Sequence, residues 1–247
     1  MAIFRFEANG PAGQGMVPLE LSSEDFQSEL PHQEWHIYYQ DETLGLTAGV
    51  WTTTSMQEAF GPYPGDEFMH ILEGKVLLLD ADENQTFVNT GETFVVKNGI
   101  PISWKQDGFC RKFFMTFYAP DTKVKPSEGA ANGISILREN ELEHELIETK
   151  SSQGIVQREA DVFTNEAGNM NVGMWETEAF ETPMEPFPVH EFAQMISGEV
   201  VITDGEGGTH PFSAGDCFFI AAGTVCSWKS EAAFRKFYCS LEPVANG

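Results

Sequence analysis

Shifted against itself by 124 residues, the sequence aligns 49–113 with 173–237 without a gap. The identical pairs include Gly49/Gly173, Trp51/Trp175, Pro62/Pro186, Pro64/Pro188, Glu67/Glu191, Phe68/Phe192, Gly74/Gly198, Gly91/Gly215 and Gly99/Gly223. Two runs recur intact: Ser103-Trp104-Lys105 as Ser227-Trp228-Lys229, and Arg111-Lys112-Phe113 as Arg235-Lys236-Phe237. A repeat this long without an insertion means two copies of one folding unit. The 247 residues leave each copy enough chain to bury a core of its own. The segment 119–133 is rich in Pro, Gly and small residues and is the natural join. The expected division is an N-terminal domain over 1–120, a linker over 121–133 and a C-terminal domain over 134–247.

Each copy reads as β-structure. Runs such as "EFMHILEGKVLLLD", "GETFVVKNG", "GDCFFIAAG" and "RKFFMTFY" are short, rich in strand formers and bracketed by glycines or turn residues. Only "SSEDFQSEL" and "RENELEHEL" carry helix-start signals. Many short strands at near-regular spacing predict a sandwich or barrel, here one per copy.

Composition narrows the partners. With 14 basic against 38 acidic residues the net charge is -24, a field that repels phosphate backbones and anionic membranes. Nucleic acid and membrane are therefore not expected partners, and the excess acid reads as solvated surface. Cys110, Cys217, Cys226 and Cys239 form no CxxC pair, as in a reduced cytoplasmic protein with buried thiols. The first residues, "MAIFRFEANG", lack the basic start and apolar run of a signal peptide, and no segment has the roughly 18 apolar residues of a membrane span. A cytoplasmic location is the expectation.

The spacing Glu67 to Gly74 and Gly91 to Gly99, repeated as Glu191 to Gly198 and Gly215 to Gly223, resembles the two signature motifs of the cupin superfamily. The details "DEF…LEG", "GETFVVKNG…SW" and "RKFF" are most similar to the ureidoglycine aminohydrolase-type and ethanolamine-utilisation-type cupins. The resemblance implies an all-β chain of two tandem jelly-roll barrels. It implies nothing so definite about activity.

The resemblance also implies ligand positions for a divalent metal: a His-x-His before each Glu and a further His after the second motif. In this chain those positions hold Gly61, Tyr63 and Ile102 in the first copy and Glu185, Phe187 and Cys226 in the second. Neutral imidazole, the usual donor for such a site, is missing from all of them. No cofactor is expected in the N-terminal barrel. In the C-terminal barrel Glu185, Glu191 and Cys226 are an unusual donor set. They stand against the plainer reading of Glu185 on a solvated rim and Cys226 in the core. His70 and His190 alternate away from the Glu face and are expected at the surface.

The retained residues suggest another use. If Glu67 and Glu191 face the lumen, Met69 and Ile71, and Ala193 and Met195, face it too. Each carboxylate then needs a cation, and the Arg-Lys pairs supply candidates. Alternation does not choose between Arg and Lys. Arg235 shares a face with Phe237, Cys239 and Leu241, whereas the resemblance implies Lys. The expected lumen set is Glu67, Trp104, Lys112, Tyr63 and Trp51 in one barrel and Glu191, Trp228, Lys236 and Trp175 in the other. It is either a small-molecule pocket or core packing around a structural ion pair.

Three functional readings follow. The first is a metal-free bicupin that binds a small polar metabolite in a barrel lumen. The second, carried by the resemblance, is a metal-dependent ureidoglycine aminohydrolase-like enzyme acting on a small nitrogenous metabolite. The third is a structural role, in which the duplicated chain forms a pseudo-dimer as a monomer or pairs as a homodimer.

Overall fold

A computed structural model describes residues 3–118, 133–151 and 154–243. Nearly all regular structure is β, and it forms two compact units of the same design. In the first, a seven-stranded sheet runs in the order Ile134–Leu137, Thr93–Val96, Asp66–Glu73, Cys110–Phe117, Leu46–Thr53, Gln33–Asp41 and Val17–Pro18. It faces a sheet of Met56–Gln57, Pro101–Gln106, Lys75–Asp80 and Gln85–Asn89, with Gly61–Pro62 also pairing onto Pro101–Gln106. The second unit repeats both sheets, with His190–Ser197 and Phe234–Leu241 at the centre of the larger one. A sandwich or barrel in each copy is what the strand spacing predicts, and two tandem jelly rolls are what the cupin resemblance implies. The two helix-start signals yield one short turn each, the 3-10 segment Ser23–Asp25 and the α-helical Glu139–Leu142.

The two units are compact by their own internal contacts. One comprises Glu7–Ile136; the other comprises Met1–Phe6 with Leu137–Gly247. The strand Ile3–Arg5 pairs antiparallel with Cys217–Ile220 of the second barrel. Reciprocally, Ile134–Leu137 joins Thr93–Val96 of the first. Each copy thus lends its leading strand to the other copy's sheet. Phe6 lies edge-on to Phe192, with ring centroids 5.0 Å apart, and is itself buried. The pairing gives an otherwise open edge its hydrogen-bond partner. The expected linker 121–133 lies outside the described residues except for Gly133.

Both faces of the larger sheets are buried. In Asp66–Glu73 the first six residues are all buried, as are the first four of His190–Ser197. The lumen cores contain Met69, Ile71 and Trp104 in one barrel and Ala193, Met195 and Trp228 in the other, on the predicted face. The opposite face carries His70 and His190, at 8% and 5% exposure. The expectation that these histidines lie at the surface is therefore corrected. A sheet covered on both sides buries the alternate residues as well. His70 is bonded through Nδ1 to Thr93 Oγ1 at 2.9 Å, and burial pushes its pKa down to about 4. It stands neutral in the fold.

Candidate functional site

In both barrels the Glu and the Lys of the repeat meet inside the lumen. Lys112 Nζ lies 2.8 Å from Glu67 Oε1, and Lys236 Nζ bonds Glu191 Oε1 in the same way. All four residues are 6–8% exposed. The open choice within each Arg-Lys pair falls to Lys. Arg111 pairs instead with Glu73 at 3.0 Å, and Arg235 bonds Glu176 and Glu139. The apolar company of Arg235 misleads because Phe237, Cys239 and Leu241 occupy the sheet's other buried face. A register shift accompanies the lysine in each copy, between Arg111 and Lys112 and between Met195 and Ser197 on the partner strand. Such bulges re-aim a side chain. The long lysine stem then runs along the lumen face toward the Glu near the far end of the neighbouring strand.

Tryptophans wall the pair on both sides. Trp51 is the direct cross-strand neighbour of Lys112, as Trp175 is of Lys236. Lys112 Nζ stands 4.9 Å from the Trp51 ring centroid and 4.6 Å from that of Trp104. Lys236 stands 5.1 Å from Trp175 and 4.9 Å from Trp228. Sandwiching an ammonium between indole faces stabilises its charged form where water is scarce. The structure thus brings together Glu67, Trp104, Lys112, Tyr63 and Trp51 in one lumen, and Glu191, Trp228, Lys236 and Trp175 in the other.

The two lumens then part ways. In the N-terminal barrel the Tyr63 hydroxyl donates to Glu67 Oε2, and the Met69 thioether lies 3.1 Å from Lys112 Nζ. Trp104 Nε1 donates to Gln106 Oε1 at 2.7 Å. Burial and the Glu67 carboxylate push the Tyr63 phenol far up, so it remains a donor. Nearby Glu58 is pushed up to about 7, chiefly by burial, against the pull of Lys112. The ion pair is enclosed and satisfied.

At the matching C-terminal positions stand Phe187 for Tyr63, Ala193 for Met69 and Ser230 for Gln106. A cavity of about 360 Å³ opens above the Lys236–Glu191 pair. Trp175, Phe180, Phe187 and Trp228 wall it, and Glu159, Glu185 and Cys226 reach its lining. Among the described residues Glu191 Oε2 receives no hydrogen bond, since Phe187 carries no hydroxyl. The buried Trp228 Nε1 also lacks a partner of good geometry. Sequence reasoning named the Glu, Trp and Lys residues but not Glu159 or Tyr238. Glu159 faces Trp175 across the sheet, as Trp35 faces Trp51 in the first copy. Tyr238 OH donates to Glu159 at 2.5 Å and to Asp161 at 3.2 Å. The signal was available: Trp35, Ile37 and Phe114 become Glu159, Asp161 and Tyr238, but Trp35 and Ile37 precede the aligned repeat.

At the positions the resemblance implies for a metal, neither lumen carries an imidazole donor. Glu67 and Glu191 are each held by an ammonium, and Gly61, Ile102 and Phe187 offer no donor. Burial raises the pKa of the Cys226 thiol; the Trp228 indole opposes this, while Glu185 and Glu191 add to it. The thiol therefore stays protonated near neutral pH. Among the described residues no group of three or more His, Cys, Asp and Glu is placed to hold an ion.

The model of the EutQ-like cupin domain matches the sequence twice, over residues 42–114 and 164–238. No curated protein matches in sequence. Among solved structures, the chain is similar to a protein of unknown function from Pseudomonas syringae pv. tomato. They share 22% identity with a TM-score of 0.76, covering 97% of this chain and 99% of that one. It also resembles the protein Ylba from E. coli, at 16% identity and a TM-score of 0.54, covering 97% and 90%. A third similar structure is a salicylate 1,2-dioxygenase from Pseudoaminobacter salicylatoxidans in complex with gentisate, at 12% identity and 0.53, covering 80% and 69%. At these identities the likenesses speak to fold. Among the described residues no helix is long and apolar enough to cross a membrane.

Proposed function

The chain belongs to the EutQ-like cupin domain family, and from that premise we propose that it is a small-molecule-binding bicupin whose C-terminal lumen is the binding site and works without a metal. One observation carries this reading. Of two lumens built on the same Glu–Lys–Trp frame, the C-terminal one retains a cavity of about 360 Å³ directly over the ion pair. That volume suits a small metabolite, and an apolar wall with a few convergent polar groups is the usual make-up of such sites. The N-terminal lumen supplies the internal comparison, because Tyr63 and Met69 close on its ion pair.

A thermal-shift screen of small polar metabolites at fixed protein concentration tests the reading, since a ligand that binds only the folded state raises Tm. Hits are expected from the wild type and should be lost in Ala193→Met, which returns to the C-terminal lumen the thioether found in the other copy. Hits unaffected by that change would place binding elsewhere. Elemental analysis of protein purified without added metal is expected to find well under one equivalent of transition metal per chain. About one tightly held ion per chain would instead favour a metal-dependent enzyme.

A further inference from the structure

The two copies differ in what meets the lumen carboxylate. In the N-terminal lumen Glu67 accepts from both Lys112 and Tyr63. In the C-terminal lumen Glu191 keeps the lysine and loses the phenol; it lines the cavity, and its second oxygen has no protein donor among the described residues. A carboxylate only 7% exposed gains from each hydrogen bond its second oxygen accepts. Water can supply the donor that Tyr63 supplies in the other half, and a molecule that displaces that water is favoured when it brings a donor of its own.

The charge of the lining says what kind of donor. Three carboxylates, Glu159, Glu185 and Glu191, line the cavity against one ammonium, that of Lys236. Two of these acids stand where the other copy has an apolar or missing side chain: Glu159 for Trp35 and Glu185 for Gly61. Lys236 is already paired and lies between two indole faces, so the lining keeps an excess of negative charge. Phe187 stacks on Trp228 with centroids 5.6 Å apart, and Trp175 and Phe180 complete an aromatic wall. Carboxylates beside an aromatic wall favour an organic cation, its charged group by the carboxylates and its apolar part by the rings.

We propose that the C-terminal lumen takes a small organic ammonium compound, whose N–H group donates to Glu191 Oε2 and whose apolar part lies against Trp175, Phe187 and Trp228. This rests on the lumen reading above and adds the sign of the ligand's charge. A neutral alcohol can supply the same hydrogen bond but not the charge. An organic anion meets three carboxylates.

Three probes of similar shape separate these cases: phenethylamine, 2-phenylethanol and 3-phenylpropionate, titrated calorimetrically at neutral pH and low salt. The amine is expected to bind at least ten-fold more tightly than the alcohol, and the propionate not at all. Phe187→Tyr should weaken the amine at least ten-fold, because the new hydroxyl takes the free Glu191 oxygen, and should leave Tm unchanged or higher. Glu185→Gln, at an exposed position, is the independent check should the first variant fold poorly; it should weaken the amine several-fold. Equal or tighter binding of the alcohol or the propionate overturns the proposal while leaving a lumen site standing. Amine binding untouched by either folded variant overturns it as well, and so does a wild type that binds none of the three. In that last case the metabolite screen with Ala193→Met decides separately whether the lumen binds anything.

Discussion

Tyr63 and Phe187 occupy one position in two copies of one barrel, and the hydroxyl that only the first carries gives Glu67 a second protein donor. The energetic consequence is measurable. Removing one partner of a buried ion pair strands the other charge and costs roughly 3–5 kcal/mol. Lys112→Met should show that full loss, because the Glu67 it abandons is enclosed by Tyr63 and Met69. Lys236→Met should cost less, about 1–3 kcal/mol, since water entering the cavity can solvate Glu191. Denaturant-dependent hydrogen exchange, read separately on Asp66–Glu73 and His190–Ser197, distinguishes the two. Equal losses would mean that the C-terminal pair is as dry as its counterpart.

At the scale of the strand, the Glu of the first motif and the glycine that ends it serve different ends. Gly74 takes φ +89°, and a Cβ there would meet the Phe109 carbonyl oxygen at 2.4 Å. Gly91 takes a similar φ of +85° but would meet nothing within 4 Å. Both glycines relieve left-handed strain of about 1–2 kcal/mol, whereas only Gly74 also lets two strands approach. Gly74→Ala should therefore destabilise clearly more than Gly91→Ala in matched thermal melts; similar losses would show that strain alone governs both. Much of this level was legible in the sequence. Glycine-bracketed strand formers, repeated at a fixed offset, leave little besides two barrels. Alternation failed where both sheet faces are buried: it sent His70 and His190 to the surface and left the choice between Arg235 and Lys236 open, and the bulge that turns Lys236 into the lumen leaves no mark in a hydrophobic pattern. Which lumen opens depends on volumes at Phe187, Ala193 and Ser230. Those residues could be read from the repeat, but their sum could not be judged without the packing.

Across the whole molecule the duplication has kept one architecture and let two interiors diverge. The N-terminal barrel stabilises its ion pair with protein groups, and the C-terminal barrel has a cavity at the equivalent place. The exchanged leading strands belong to this scale, because no local pattern assigns Ile3–Arg5 to a sheet whose other strands begin at residue 147. Deleting Met1–Phe6 removes the partner of Cys217–Ile220 and the buried Phe6 ring, a loss on the order of 3 kcal/mol or more. Exchange protection should then fall at Cys217–Ile220 while Thr93–Val96 keeps its own. A uniform fall in both barrels would show that the exchange is not local in its effect. The same pairing sets a timetable for synthesis. Ile3 meets Ile220, a residue translated 217 positions later; at about 5–20 residues per second the first strand waits roughly ten to forty seconds for its place. Its sequence, Ile-Phe-Arg, is largely apolar, and throughout that interval it is an unclaimed sheet edge. A neighbouring nascent chain that already exposes Cys217–Ile220 presents the same hydrogen-bonding edge, so that interval is also the one in which the strand is open to pairing with the wrong copy.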